Sequence, residues 1–324
     1  MFEILFLGTS ASAPSIYRGL TANVILAGEH RFLIDCGEGT QRQILRSGIG
    51  FKKLTKILIT HSHLDHILGL GGLLSTFVRW EGGINEIEIW GGKPALDRIQ
   101  SLIYDVVLRN EKPPIPIHLI DITKPGQIID TKQFTVTAIP VTHRGYGNWG
   151  YVFEEKPHRP FLVEKAEALG VPAGPERGKL VRGETITLAD GTVITPDMVV
   201  GEAIKGTKLV YVGDSARTDN LLEYAQDADT LVIEGTFLDS EEHEASLFGH
   251  ITVKQAAKLA VDANVKSLLI NHVSRRYRER DMIEEAQSVF SSAYVVRDLD
   301  HFMIRRGKSA VKKETEREDE DLAE

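Results

Sequence analysis

His61-Ser62-His63-Leu64-Asp65-His66 places four metal-type ligands in six positions. Imidazole and carboxylate donors, with no thiolate among them, suit zinc or another borderline divalent ion kept open for catalysis. Three more residues of the same kind, His143, Asp214 and His272, stand apart in the chain. The set divides naturally between two ions. His61, His63 and His143 would hold one, and Asp65, His66 and His272 the other, while Asp214 has two oxygens and could bridge both. Two such ions, about 3.5–4 Å apart, can share a hydroxide and clamp a displacement at phosphorus. The water between them ionises near neutral pH because metal binding lowers its pKa toward about 7.

Each of these ligands follows an apolar run. Ile57–Thr60 reads as a buried strand, and Leu68, Leu70, Leu73, Leu74, Phe77 and Val78 then recur at helical spacing. The cluster therefore sits on a strand-to-helix turn. His61 and His63, two apart on extended chain, point the same way and can share one ion. Asp65 and His66 fall where the chain bends, facing the second. Val136–Thr142 leads to His143, Lys208–Gly213 to Asp214, and Lys266–Asn271 to His272. Binding groups collect outside strand ends in α/β sheets, so four such runs point to one site.

Further strands are expected at Glu3–Leu7, Ala22–Leu26, Arg31–Asp35, Lys56–Thr60, Glu86–Trp90, Phe134–Pro140, Lys208–Val212, Thr230–Ile233 and Lys266–Ile270. Helices are expected at Thr40–Ser47, Leu68–Val78, Pro94–Tyr104, Asn220–Ala225, Thr252–Ala263 and Arg280–Val289. The alternation indicates an α/β architecture with helices packed over sheets. Residues 154–206 break the rhythm with repeated Pro and Gly and sparse apolar residues. A loop this long within a domain is functional or disordered. Gly69–Gly72 lacks the lysine and spacing of a phosphate-cradling loop.

The 324 residues, 42% hydrophobic and 26% charged, have the composition of a soluble globular protein. No apolar run reaches membrane-spanning length, and Met1–Phe6 reads as a first strand rather than a signal peptide. One cysteine, Cys36, excludes an intrachain disulfide and fits a cytoplasmic protein. The net charge of −8 argues against a general nucleic-acid coat. Residues 308–324 form a charged tail, expected to be disordered, behind a main domain spanning 1–307.

The pattern His61-x-His63-x-Asp65-His66, with His143, Asp214 and His272, resembles the metallo-β-lactamase-fold hydrolases. Within them the chain most resembles the short form of the tRNase Z family, the tRNA 3′-processing endonucleases. Leu7–Pro14, Leu33–Gln41, Tyr211–Ser215, Glu234–Phe237, Gly249–Thr252 and Asn271–Tyr277 carry that likeness, over roughly residues 1–306. It implies an αββα sandwich with a site for two zinc ions at one edge of the sheets. It also implies a precursor-tRNA substrate and a homodimer in which each arm serves the partner's active site. The 154–206 insertion would be the flexible arm, or exosite, that grips the tRNA elbow, and Gly174-Pro175 would be its signature. Arg177, Lys179 and Arg182 give this arm a local basic patch, although it carries seven Lys/Arg against nine Asp/Glu.

By the same likeness His250 assists at the scissile phosphate, where a leaving oxygen needs a proton or a positive partner. Glu234, at a strand end, could orient it. Asp65 is expected to position or deprotonate the attacking water as well as ligate. Ser274 and Arg276, in the Arg-rich stretch after His272, are expected to bind substrate phosphate. Asp35 is expected to support the sheet edge or a ligand imidazole. Many family members carry a Pro-x-Lys-x-Arg-Asn loop that reads the tRNA 3′ end; here Pro14-Ser15-Ile16-Tyr17-Arg18-Gly19 replaces its Lys and Asn. The leading reading is a zinc-dependent endoribonuclease that leaves a tRNA 3′-hydroxyl. A general phosphodiesterase or thioester or lactone hydrolase, and an RNA-binding protein with a vestigial metal site, are the alternatives.

Overall fold

The computed structural model describes residues 1–79, 84–109, 111–113 and 115–314. Two sheets make the larger of two compact units, residues 1–154 with 207–324. The first sheet contains β1 (Phe2–Gly8), β2 (Ala22–Ala27), β3 (His30–Ile34), β4 (Lys56–Leu58), β5 (Ile87–Gly91) and β6 (Ile117–Asp121). The second begins with β7 (Gly126–Asp130), β8 (Phe134–Pro140) and β9 (Trp149–Glu155). After β10 (Ile186–Thr187) and β11 (Val193–Ile194), which pair only with each other, it continues with β12 (Lys208–Tyr211), β13 (Thr230–Glu234), β14 (Leu268–Asn271) and β15 (Ala293–Val295). The chain then returns to the first sheet through β16 (His301–Ile304) and β17 (Val311–Lys312). The spatial orders are 17-16-1-2-3-4-5-6 and 15-14-13-12-9-8-7.

Period-two alternation explains the layering. In β1, Phe2, Ile4 and Phe6 enter one core while Leu5 and Leu7 enter another. In β13, Val232 enters the first of these and Leu231 and Ile233 a third. The shared core holds Phe2, Phe32, Tyr151, Phe153 and Tyr211 between the two sheets, with Phe32 and Phe153 edge-to-face at 5.2 Å. Outside the first sheet pack the helices Thr40–Arg46, Leu70–Arg79 and Lys93–Ser101. Outside the second pack Val253–Asp262 and Glu279–Val289. The result is an αββα sandwich. Strands β3–β6 run parallel, as do β12–β15, so within each run the C-terminal ends share one edge.

Several expected elements differ. The strand expected to run to Thr60 stops at Leu58, because Ile59 and Thr60 turn to tie the sheets together. Trp149 N–H of β9 donates to the Thr60 carbonyl at 2.8 Å and Tyr151 Oη to that of Ile59 at 2.6 Å. The single helix expected from Leu68 is two, Leu64–Ile67 and Leu70–Arg79, and Asp65 and His66 lie in the first. Gly69 joins them: a Cβ there would sit 1.9 Å from the Gly37 carbonyl oxygen, so backbones touch where no side chain fits. The helix expected to end at Tyr104 continues as a π-helical turn, Leu102–Val107. β6, β7, β9 and β15–β17 went unforeseen. β17 takes residues from the expected tail, pairing Val311 with Met303; residues 315–324 lie outside the described part.

The expected long loop is instead a second compact unit, residues 155–206. Ala166, Val171, Leu180, Ile186, Ile194, Val199 and Val200 make its own small core beneath three short helices and the β10–β11 hairpin.

Candidate metal centre

Seven ligand-type side chains converge from the loops at one edge of both sheets. The His61–His66 segment follows β4, His143 follows β8, Asp214 follows β12, and His272 comes directly after β14. The Nε2 atoms of His61, His143, His66 and His272 stand 3.6, 3.9, 3.5 and 3.4 Å from the Asp214 carboxylate. Asp65 Oδ2 lies 3.7 Å from His66 Nε2 and 3.5 Å from His272 Nε2. His61, His63, His143 and Asp214 form one group able to hold an ion, and Asp65, His66 and His272 another.

Hydrogen bonds fix which nitrogen each imidazole presents. His66 Nδ1–H donates to Asp35 Oδ2 at 2.8 Å. His61 Nδ1–H donates to Thr60 Oγ1 (3.0 Å), whose hydroxyl donates to the same Asp35 (2.8 Å). His143 Nδ1–H donates to the Gly249 carbonyl at 2.6 Å. His272 Nδ1–H meets Thr236 Oγ1 (3.0 Å), whose proton goes to Glu234 (2.6 Å). All four therefore aim an Nε2 lone pair inward, as metal-binding histidines do. His63 differs, turning Nδ1 toward His143 Nε2 at 3.4 Å.

The centre fits a divalent cation on its own chemistry. His61 Nε2 and Asp214 Oδ1 are buried without a hydrogen-bond partner, a costly state that an ion relieves. His66 Nε2 and His272 Nε2 face each other at 3.4 Å, lone pair to lone pair unless a cation or proton intervenes. Charge tells the same story. Burial would push His66 down, yet Asp214 and Asp35 hold it well above the ordinary histidine range. Burial and neighbouring imidazoles push His61 well below that range and His63 down to about 4. The pocket demands positive charge and cannot place it on every ring.

Asp35, foreseen as a support, is fully buried and also accepts the Thr60 amide at 2.8 Å. It and His272 adopt positive φ, +58° and +53°, at the ends of β3 and β14. Glu234, the last residue of β13, is buried and accepts from Ser215 N–H at 2.6 Å and His250 Nδ1–H at 2.9 Å. Burial would lower His250, but the Glu234 carboxylate against it, with Asp214, raises it to about 9. Asp65 accepts the Ser12 amide at 2.9 Å; burial opposes its charge, but His272 and His66 hold it well below the usual carboxylate range.

A cleft over the ligands is lined by His63, Asp65, Asp214, His250, Ser274 and Arg276, so six residues named from sequence meet there. Arg276 also pairs with Glu241 at 2.6 Å. Ile16 and Tyr17 are 88% and 83% exposed, while Arg18 turns inward to Thr9, Val296 and Glu279. In the arm, Gly174 takes φ +142° before the helix Pro175–Val181, with proline at its start. Arg177 is drawn into the arm's structure, bonded to the Val171 carbonyl (3.1 Å) and lying over Phe161. Lys179 and Arg182 pair with Glu176 (3.0 Å) and Glu184 (2.9 Å), so the basic patch is neutralised locally. Sequence reasoning missed Thr60, Thr236 and Gly249 as orienting groups. Thr60 adjoins His61 and Thr236 stands two residues after Glu234, which was the available signal; Gly249 offered none beyond preceding His250.

Comparisons with known proteins place this arrangement. A family model described as anti-Pycsar protein Apyc1 matches residues 2–149. Ribonuclease Z of Bradyrhizobium diazoefficiens is 42% identical over 305 residues, 94% of this chain and 100% of that one. Ribonuclease Z of Enterococcus faecalis is 40% identical over 92% of this chain and 96% of its own. Among solved structures, the short form of human tRNase Z superposes with a TM-score of 0.64 at 24% identity, covering 93% of this chain and 99% of that one. The metallo-β-lactamase-fold protein YhfI of Bacillus subtilis gives 0.64 at 18%, covering 93% and 98%. The sandwich is thus a metallo-β-lactamase fold.

Proposed function

This chain belongs to the ribonuclease Z family, and we infer from that premise that it is a metal-dependent endoribonuclease removing the 3′ trailer from tRNA precursors. The observation that carries the reading is the convergence of seven ligand side chains, four with their Nδ1 protons held by outer partners, beneath an open cleft. We assign two zinc ions per chain, one of which His61, His63 and His143 would hold and the other Asp65, His66 and His272, with Asp214 a further donor within reach. When bound, such ions make hydroxide available at neutral pH and offset charge on the scissile phosphate.

The chain's own residues do the rest. Asp65, held as a carboxylate, accepts a hydrogen bond from the attacking water and aligns it. His250, protonated at neutral pH and braced by Glu234, gives its proton to the departing tRNA O3′. As the hydroxide oxygen bonds to phosphorus, the P–O3′ bond breaks; the His250 proton ends on O3′ as the tRNA 3′-hydroxyl, and the trailer keeps the new oxygen in its 5′-phosphate. Ser274 and Arg276 bind the phosphate from the cleft wall.

The arm is our candidate for tRNA binding, in a cytoplasmic homodimer where each arm serves its partner. Gly174 and Pro175 shape the arm rather than touch RNA on this account, and Arg177 braces its core. Exposed ion pairs are worth at most about 1 kcal/mol, so Lys179 and Arg182 exchange their glutamates for phosphates at little cost. No helix among the described residues is long and apolar enough to cross a membrane.

Cleavage of a precursor tRNA compared with a small phosphodiester, each with and without chelator, tests the reading. A large preference for the precursor, abolished by chelator, is the expected result. Equal use of both substrates would point to a general phosphodiesterase instead.

A further inference from the structure

One wall of the cleft carries an aromatic stack that no step above uses. The rings of Phe237 and Phe248 lie parallel, 4° between planes and 6.2 Å between centroids. The Arg144 guanidinium sits 5.7 Å from the Phe248 centroid, and that of Arg276 sits 5.9 Å from Phe237. Phe237 is core, 5% exposed, but Phe248 is 51% exposed and lines the cleft. Folding therefore gains only part of what burying a phenylalanine offers.

The ring's position is tied to the chemistry. Phe248 ends the helix Glu242–Phe248, and Gly249 follows at φ +75°. The Gly249 carbonyl accepts from ligand His143, and the next residue is His250. Arg144, adjacent to His143, donates to the Leu247 carbonyl at 2.8 Å, which holds its guanidinium over the ring and leaves further N–H groups to donate. A Cβ on Gly249 would press within 3.2 Å of Arg144 Cγ, so the turn, the cation and the ring form one packed unit.

We propose that Phe248, backed by Phe237 and flanked by Arg144, is the stacking platform for a nucleobase immediately beside the scissile phosphate. A half-exposed aromatic ring in a cleft with guanidinium groups is what unpaired nucleic acid binds: bases stack on the ring and cations meet the backbone. Every base has a π-face, so the platform demands a base but reads no sequence. The proposal rests on the precursor-tRNA reading. It adds that an unpaired, base-bearing nucleotide at the cut is part of what is recognised.

The test uses wild type, Phe248→Trp, Phe248→Leu and Phe248→Ala. Each acts on a precursor tRNA that is intact, has one of its two flanking nucleotides made abasic, or has that base exchanged for another. A small phosphodiester reports on the centre alone. Wild type should lose roughly 5- to 100-fold in kcat/KM when the base at one flanking position is removed, and little when it is exchanged. Ala and Leu variants should lose about the same factor on intact precursor and become indifferent to base removal. Trp should stay within about threefold of wild type, and all should hydrolyse the small diester within about twofold of it. Wild-type rates in Phe248→Leu, undiminished sensitivity to base removal in Phe248→Ala, or a matching loss on the small diester would each overturn the platform. A wild type that cuts intact and abasic precursors equally overturns the platform alone. One that leaves intact precursor uncut overturns the function reading and the platform with it.

Discussion

Asp35 Oδ2 holds the Nδ1 proton of His66 at 2.8 Å, with both side chains fully buried. The same carboxylate fixes His61 through the Thr60 hydroxyl, so one residue outside both ligand groups sets the lone pairs of two members, one in each. Removing such a support costs a metal site about 10- to 100-fold in affinity. Wild type should retain two divalent ions per chain after dialysis, by elemental analysis. Asp35→Asn should lose metal at chelator concentrations that wild type withstands. Full occupancy in the variant under the same challenge would remove Asp35 from the centre; at most one ion per chain in wild type would remove the dinuclear assignment.

Asp65 carries two duties, ligand and water-aligning carboxylate, so Asp65→Ala should depress single-turnover cleavage by at least about 10²–10⁴ while precursor binding barely moves. A rate within about tenfold of wild type would show that the water is aligned by something else.

Glu234 raises His250 to about 9, and the proposed proton donor must be protonated. Single-turnover rate should therefore hold through neutral pH and fall as pH rises through about 9. Glu234→Gln removes the anion that favours imidazolium, so the alkaline limb should move to lower pH, with a lower rate at pH 8 than at pH 7. A limb that stays in place would assign it to a group other than His250.

The convergence of the seven candidate ligands was legible in sequence because each follows an apolar run that ends at the same edge of the sandwich, as β4, β8, β12 and β14 do. Asp35 was legible for the same reason, at the end of β3. The hydroxyls of Thr60 and Thr236 and the Gly249 carbonyl were not, because they act by holding an imidazole proton, a relation only three-dimensional contact defines. The arm misled for another reason. Its core residues, from Ala166 to Val200, follow neither helical nor strand period across short elements, so a folded unit reads as a loop. Arg177, expected to give the arm part of its basic patch, also bonds the Val171 carbonyl and lies over Phe161, a contact no local pattern signals.

Deleting residues 157–200 should sharply weaken precursor binding and processing while hydrolysis of a small chromogenic phosphodiester survives, because every ligand lies in the other unit. Salt should weaken wild-type binding more steeply than that of the deletion, which has fewer phosphate contacts to lose. Equal loss of both activities in a folded, metal-loaded deletion would place the arm inside the catalytic machinery. Loss of neither would leave it without a part in the reaction.

On this reading the His61–His66, His143, Asp214 and His272 centre hydrolyses a tRNA precursor at the trailer junction. End-group analysis of one cleavage reaction tests it most directly. Hydrolysis at this centre should make a single cut that leaves a 3′-hydroxyl on the tRNA and a 5′-phosphate on the trailer. A 2′,3′-cyclic phosphate, or cuts scattered away from the junction, would contradict it.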